Sequence, residues 1–124
     1  MVLRVRGLTH VALLVRDLER SVLFYQRLFG SEISHRDENS VELRTPGQHD
    51  ALSLEQSDSD DVGASGGVLH FGFRLLEPMS FNDLARLVVE AGGTVEEKGE
   101  YVLGEPYVFG RDPDGYRFEV FFEP

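Results

Sequence analysis

The sequence contains one internal repeat, and this repeat limits the possible folds more than any other feature. A segment that begins at Gly7 recurs in outline at Gly67, and the same offset aligns His10 with His70. In both copies a strand-like stretch is followed by an amphipathic helix and then by glycine. The offset is close to half of the 124 residues. The sequence therefore predicts a duplicated unit.

The first copy predicts one strand, one helix and three more strands. Apolar residues fill both alternating sets of positions 7–15, which is typical of a strand buried on both faces. Asp17 is a suitable N-cap, and a helical stripe of apolar residues then runs to Gly30. Short strands are predicted at 31–36, 40–45 and 51–56, separated by turn-forming residues.

The second copy predicts the same order. A strand covers 67–76, Ser80 caps a helix that ends at Gly92 and Gly93, and strands follow at 94–98, 106–111 and 116–122. The residues 112–115, Asp-Pro-Asp-Gly, are typical of a type I turn. The acidic, small-residue segment 57–66 is interpreted as a flexible linker. The fold class is therefore α+β, a single domain of two βαβββ modules (about 1–56 and 67–124) with two mixed sheets.

Composition excludes several classes of function. The chain has 12 Lys and Arg against 22 Asp and Glu, so its formal net charge is -10, which argues against nucleic acid and anionic membranes as partners. It has no cysteine, which excludes thiolate metal sites and thiol nucleophiles. No apolar run approaches the length of a membrane span, and the N-terminus lacks the apolar core of a signal peptide. We expect a cytoplasmic protein that binds a small molecule.

Three residues are candidate metal ligands: His10, His70 and Glu119. A single histidine in a strand is usually structural, but the repeat places His10 and His70 at equivalent positions, where two buried imidazoles need a partner. Glu119 is the one acid in the apolar run 118–122 and needs a partner if it faces inward, whereas on an outward face it is merely solvated. Two imidazoles and one carboxylate suit Fe(II), Mn(II), Ni(II) or Zn(II) and leave positions open for substrate.

These residues, with their surroundings, resemble the vicinal oxygen chelate superfamily. The resemblance is carried by Gly-x-x-His in each half, by Phe24-Tyr25 and Leu28-Phe29-Gly30 in the first helix, and by the Asp-Pro-Asp-Gly turn four residues before Glu119. It implies paired βαβββ modules that form a U-shaped cup, with His10, His70 and Glu119 as the metal ligands. It also implies a homodimer in which a partner chain can complete each pocket.

Within that superfamily, the segment His49-Asp50-Ala51-Leu52 resembles extradiol ring-cleaving dioxygenases. The resemblance implies that His49 handles protons beside the metal, and its ordinary pKa suits that work. The alternative is a histidine at a strand edge beside a Pro-Gly turn. Those enzymes carry a tyrosine where Phe109 stands here, and Tyr107 shares its strand face and partly substitutes, so Tyr107 and Phe109 are candidate substrate-binding residues.

Other members of the superfamily suggest other chemistry. Glyoxalase I-like enzymes add a glutamate ligand that is also a base. The aligned residue here is Ser53, and Glu55 lies one step further on the same strand face as a candidate fourth ligand or base. Fosfomycin-type thiol transfer needs a cationic cleft, for which Arg44, Arg74 and Arg117 are candidates. Bleomycin-binding relatives are not enzymes and sequester a cationic drug without metal ligands.

The presence of all three ligand types favours an enzyme over a drug-binding protein. We expect a divalent-metal-dependent enzyme that acts on a small substrate with two neighbouring oxygens. Because of His49, oxidation of the extradiol dioxygenase type is favoured over proton transfer of the glyoxalase or epimerase type.

Overall fold

The computed structural model describes residues 1–124 and contains two helices and eight strands. In chain order the elements are β1 His10–Val15, α1 Leu18–Phe29, β2 Glu32–Arg36, β3 Ser40–Arg44, β4 Ala51–Gln56, β5 Phe71–Arg74, α2 Phe81–Ala91, β6 Thr94–Glu100, β7 Pro106–Arg111 and β8 Arg117–Phe121. The predicted fold class and the predicted order of elements are confirmed.

The strands form two four-stranded sheets of the same topology. The first sheet has the order β1-β4-β3-β2 and the second has β5-β8-β7-β6. In each sheet the first strand pairs in parallel with the last, and the remaining pairs are antiparallel. Both sheets are therefore mixed, and β1 and β5 are equivalent strands that each lie at the edge of a sheet.

The pairing register aligns the two halves residue by residue. Ala12 of β1 lies opposite Ser53 of β4, and Gly72 of β5 lies opposite Glu119 of β8. Because Ala12 and Gly72 are equivalent in the repeat, Ser53 is the counterpart of Glu119. The first half therefore carries a serine where the second half carries a carboxylate.

Both helices begin and end at the residues that the sequence predicts. The side chain of Asp17 accepts a hydrogen bond from the backbone N–H of Arg20, and Ser80 does the same for Asp83. Gly30 adopts a left-handed conformation with φ 66° at the end of α1 and satisfies a carbonyl of the last turn.

The two halves share one hydrophobic core, which lies between the sheets. It contains apolar residues from α1, α2 and the helix-facing side of each sheet. Phe24 of α1 packs edge to face against Phe118 of β8, and Phe29 stacks on Phe73 of β5 with ring centroids 4.0 Å apart. Because the helices cover one side of each sheet, the other side is left as an outer face.

The strand at the start of each half is shorter and less buried than predicted. β1 begins at His10 rather than at residue 7, and β5 covers only Phe71–Arg74 of the predicted 67–76. The prediction that β1 is buried on both faces is wrong within a single chain, because His10 and Ala12 are exposed on the outer face. Residues 1–8 are exposed as well.

The segment 57–66 contains hydrogen-bonded turns. The guanidinium of Arg16 donates to the carbonyl oxygens of Ser57 and Ser59, at 3.1 and 3.0 Å.

Neither helix of the chain combines the length and the hydropathy needed to cross a membrane.

Candidate functional site

The candidate site is built on the outer face of the second sheet, defined here by Tyr107, Phe109, Arg117, Glu119 and Phe121. Alternate residues of the same two strands, such as Val108, Phe118 and Val120, point to the core and are buried. Strand alternation therefore places the defining residues on the opposite side. On this face Phe109 lies directly opposite Glu119, and Gly72 lies opposite Glu119 on its other side.

His70 precedes β5 and carries a buried nitrogen without a partner. Its ring packs edge to face against Phe109, with centroids 5.0 Å apart. Its Nδ1 is buried and forms no hydrogen bond. Because a buried polar atom without a partner costs free energy, this nitrogen indicates a missing partner such as a water, a cation or a group from another molecule.

Glu119 is half-buried, and its two carboxylate oxygens have different surroundings. The phenol of Tyr101, in the turn between β6 and β7, donates a hydrogen bond to Oε2. Oε1 lies on the side of Gly72, where a Cβ added to the glycine would stand 3.7 Å from it. Desolvation of the phenol, with its bond to Glu119 and the charge of that carboxylate, raises the pKa of Tyr101 well above its ordinary value. Tyr101 is therefore held as a proton donor to Glu119.

Aromatic rings extend the outer face from Glu119. Tyr101 stacks on Tyr107 at 4.2 Å between centroids, and Tyr107 donates a hydrogen bond to Glu97 at 2.9 Å, which raises the pKa of Tyr107. The guanidinium of Arg117 lies 4.0 Å over the ring of Phe109. These rings form a partly apolar surface with the guanidinium of Arg117 at one end. Such a surface suits a flat or apolar substrate that carries polar groups.

His10 lies on the first sheet, at the exposed start of β1. His10, His70 and Glu119 all border one open cleft of about 690 Å³ between the halves. However, no group of three histidine or acidic side chains within the chain lies close enough to hold a metal ion. Within a single chain the three residues therefore border one cleft without forming a metal-binding cluster.

The candidate proton-transfer residues lie on the first sheet. His49 is exposed in the loop before β4. The carboxylate of the adjacent Asp50 accepts hydrogen bonds from the N–H and the hydroxyl of Thr45, at 2.9 and 2.7 Å, and thereby fixes the loop. Glu55 is exposed and lies opposite Leu14, two residues beyond Ser53.

The three candidate arginines differ in their surroundings. Arg44 borders the cleft at the end of β3. Arg74 donates hydrogen bonds to the carbonyl oxygens of Glu123 and Pro124, so its guanidinium is engaged by the C-terminus. Arg117 borders the cleft and lies 3.6 Å from Glu96 and 3.8 Å from Glu97. Arg117 thus lies over Phe109, on the outer face that carries Glu119.

Sequence reasoning missed Tyr101 as part of the site. The segment 100–103 lacks a histidine, and its tyrosine lies 18 positions before Glu119. No sequence pattern marks this contact, because it depends on where the turn between β6 and β7 returns the chain to the strand beside Glu119.

Comparison of the sequence with known proteins identifies its family. Residues 7–120 match the profile of the Glyoxalase/Bleomycin resistance protein/Dioxygenase superfamily. The chain is 33% identical over 122 residues to the metapyrocatechase of Geobacillus stearothermophilus, covering 96% of this chain and 35% of that protein. It is 31% identical over 122 residues to a manganese-dependent 2,3-dihydroxybiphenyl 1,2-dioxygenase of Geobacillus genomosp. 3, covering 92% and 36%. The chain thus spans about a third of the length of these two relatives.

A solved structure shows the same fold over nearly the whole chain. The fosfomycin resistance protein FosX of Listeria monocytogenes superposes with a TM-score of 0.78 at 19% identity, covering 98% of this chain and 96% of that one.

Proposed function

The chain belongs to the Glyoxalase/Bleomycin resistance protein/Dioxygenase superfamily, and from this we propose that it is a divalent-metal-dependent enzyme. Its substrate is a small molecule with two neighbouring oxygens, and oxidation of the extradiol dioxygenase type is favoured. The observation that carries the proposal is the buried, unpartnered Nδ1 of His70 at the outer face that Glu119 occupies. A nitrogen and a carboxylate there form two thirds of a metal-binding donor set.

The third donor is His10 of a second copy of the chain. In one chain His10 is exposed on the outer face of β1 and lies in no cluster of ligands. β1 and β5 are both free sheet edges, and the residues just before them include exposed apolar side chains, with Leu8 94% and Leu69 77% exposed. Such apolar surface at two free edges supports a homodimer that pairs one half of each chain with the other half of its partner.

The donor chemistry fits Fe(II), Mn(II), Ni(II) or Zn(II), and one relative is named as manganese-dependent. A bound cation supplies Lewis acidity to two neighbouring substrate oxygens. The residues of the chain bind the substrate and move the proton. Phe109 and Tyr107 form the wall against which an apolar substrate packs, and Arg117 attracts negative charge on it. His49, exposed on the loop that Asp50 fixes, takes or gives the proton.

Proton transfer of the glyoxalase or epimerase type is the second candidate. The observation that favours it is the register of the first sheet, which puts Ser53 in the position equivalent to Glu119 and the exposed Glu55 two residues further along. Glu55 is then the base, and no oxygen is consumed.

Oxygen uptake with a catechol separates the two activities, because only ring cleavage consumes oxygen. Sequestration of a cationic drug is disfavoured by the presence of all three ligand types.

The metal content of purified protein tests the proposal. We expect untagged wild-type protein to bind about one divalent transition ion per chain, and His10→Ala, His70→Ala and Glu119→Ala each to lose most of it, because each removes one of three donors. His35→Ala is the matched control, since His35 is exposed on β2 and its nearest carboxylate is that of Asp37. Metal content is measured by elemental analysis, and circular dichroism checks that each variant is folded. Unchanged metal content in His70→Ala or Glu119→Ala contradicts the ligand assignment.

A further inference from the structure

We propose that Tyr101 is a positioning residue for Glu119: its phenol holds Oε2, so that Oε1 alone is presented to a cation on the side of Gly72. The inference rests on the proposed function, because it concerns the same carboxylate. It adds a residue that lies outside the predicted ligand set, on a turn 18 positions before Glu119.

The turn that carries Tyr101 is fixed by its own hydrogen bonds. The backbone N–H of Tyr101 donates to the carbonyl of Glu105 at 3.1 Å, and that of Glu105 donates to the carbonyl of Val102 at 2.9 Å. The N–H of Gly104 donates to the carboxylate of Glu100 at 2.6 Å. The phenol therefore approaches Glu119 from a structured turn.

The ring of Tyr101 is held from its face as well. It stacks on Tyr107 at 4.2 Å with the two planes 16° apart. Tyr107 is itself fixed by its hydrogen bond to Glu97 at 2.9 Å. Stacking limits rotation of the Tyr101 ring, so its hydroxyl stays directed at Oε2 of Glu119.

The other oxygen of Glu119 lies beside Gly72. Oε1 lies over Gly72, which has no side chain, and the nearest side-chain atom that a Cβ at position 72 would meet is a ring carbon of Phe121 at 3.4 Å. The ring of His70 packs against Phe109, which lies opposite Glu119 on the same face. A cation held by Oε1 is therefore on the side of the sheet where His70 stands.

A held carboxylate binds a cation more tightly than a free one. Ordering a glutamate side chain costs conformational entropy, and here the bond from Tyr101 orders Glu119 before the cation arrives. Loss of hydrogen bonds that orient metal ligands costs about 10- to 100-fold in metal affinity. The opposite relation, in which the phenol competes with the cation for the carboxylate, makes binding tighter when the phenol is removed.

Titration with Mn(II) at one fixed pH tests the inference, with free Mn(II) measured by electron paramagnetic resonance. We expect Tyr101→Phe to bind Mn(II) about 10- to 100-fold more weakly than wild type. The matched control is Tyr116→Phe, which likewise loses one phenol hydroxyl, here bonded to the backbone carbonyl of Leu14 at 2.8 Å, and we expect its Mn(II) affinity to equal that of wild type. Tyr101 is 56% exposed, so loss of one hydroxyl leaves the fold intact.

A second pair of variants separates positioning from a general structural role. Glu119→Gln and the double variant Glu119→Gln with Tyr101→Phe are expected to bind Mn(II) equally weakly, because Tyr101 acts only through the carboxylate. A further loss of affinity in the double variant overturns the inference.

The outcomes also separate this inference from the proposed function. If wild type binds Mn(II), His70→Ala does not, and Tyr101→Phe binds as well as wild type or better, positioning by Tyr101 is wrong and the metal site stands. If wild type binds no Mn(II), the proposed metal site fails, and the role of Tyr101 fails with it.

Discussion

At the scale of single residues, two carboxylates of one turn connect the halves of the chain. Asp112 is buried and accepts hydrogen bonds from the phenol of Tyr25 at 2.6 Å and from the backbone N–H groups of Asp114 and Tyr116, both at 3.0 Å. Burial raises the pKa of Asp112, and burial together with the nearby charge of Asp112 raises the pKa of Tyr25. This hydrogen bond, with Tyr25 as the donor and Asp112 as the acceptor, therefore joins α1 to the turn before β8.

Asp114 adds a second connection, from the same turn to α1 and to Arg16, which follows β1. Its carboxylate accepts hydrogen bonds from the hydroxyl of Ser21 at 3.1 Å and from the backbone N–H of Arg16 at 3.0 Å, and it pairs with the guanidinium of Arg20 at 3.1 Å. The sequence predicts this segment as a turn, and the structure shows that the same residues also bind the opposite half.

Tyr25→Phe tests the contribution of this connection to stability. The change removes one hydroxyl and leaves the buried Oδ2 of Asp112 without its donor, so we expect a loss of about 1–3 kcal/mol in the free energy of unfolding. Urea denaturation followed by circular dichroism is the measurement. Tyr107→Phe is the control, because its hydroxyl bonds the exposed Glu97, and a change within about 0.5 kcal/mol is expected there. Equal stability of the two variants contradicts a buried, directional bond.

At the scale of elements, the sequence predicts the helices and most strands better than the first strand of each half. The caps and apolar stripes place both helices, and β4 and β7 have the predicted bounds 51–56 and 106–111. The strands β1 and β5 begin later than predicted, at His10 and Phe71 rather than at residues 7 and 67. The apolar residues of these segments predict that the segments are buried, but the pattern does not say whether the same chain or another chain buries them.

The candidate site was predictable only where it depends on strand pairing. The repeat aligns Ala12 with Gly72, and the register of the two sheets then makes Ser53 the counterpart of Glu119. The hydrogen bond of Tyr101 to Glu119 was not predictable, because it depends on where a turn returns the chain. Side-chain contacts across turns follow no periodicity.

Gly93, between α2 and β6, tests how closely one element packs against another. A Cβ there would stand 2.7 Å from the carbonyl oxygen of Arg111 and 2.8 Å from the ring of Phe24. Because backbone cannot yield easily, we expect Gly93→Ala to cost about 1–3 kcal/mol in the free energy of unfolding, measured by urea denaturation. Gly72→Ala is the control, since its Cβ would meet atoms at 3.4 Å or more, and we expect little change. An unaffected Gly93→Ala contradicts the close approach of β6, β7 and α1.

At the scale of the whole molecule, the surface of the cleft differs from the acidic chain around it. The formal net charge is -10, yet the charged residues that line the cleft include Arg44, Arg111 and Arg117 against Asp50 and Glu119. Arginine at the cleft offsets the acidic field locally and favours a substrate with some negative charge over a cationic drug. This distribution agrees with the proposed metal-dependent enzyme.

A mixture of two defective chains tests whether the metal site is shared between copies. In the proposed dimer each site takes His10 from one chain and His70 with Glu119 from the other. A dimer of one His10→Ala chain and one Glu119→Ala chain then contains one intact site and one site without either group. Random pairing makes half of the dimers mixed, so co-expression of the two variants is expected to restore about one quarter of the wild-type metal content. Each variant alone is expected to bind little metal. Co-expression of His10→Ala with His35→Ala chains is expected to give about half of the wild-type metal content, which checks that the two chains are produced in equal amounts. If all three ligands came from one chain, the mixture of His10→Ala and Glu119→Ala chains would contain no intact site, and its metal content would stay at the level of the single variants.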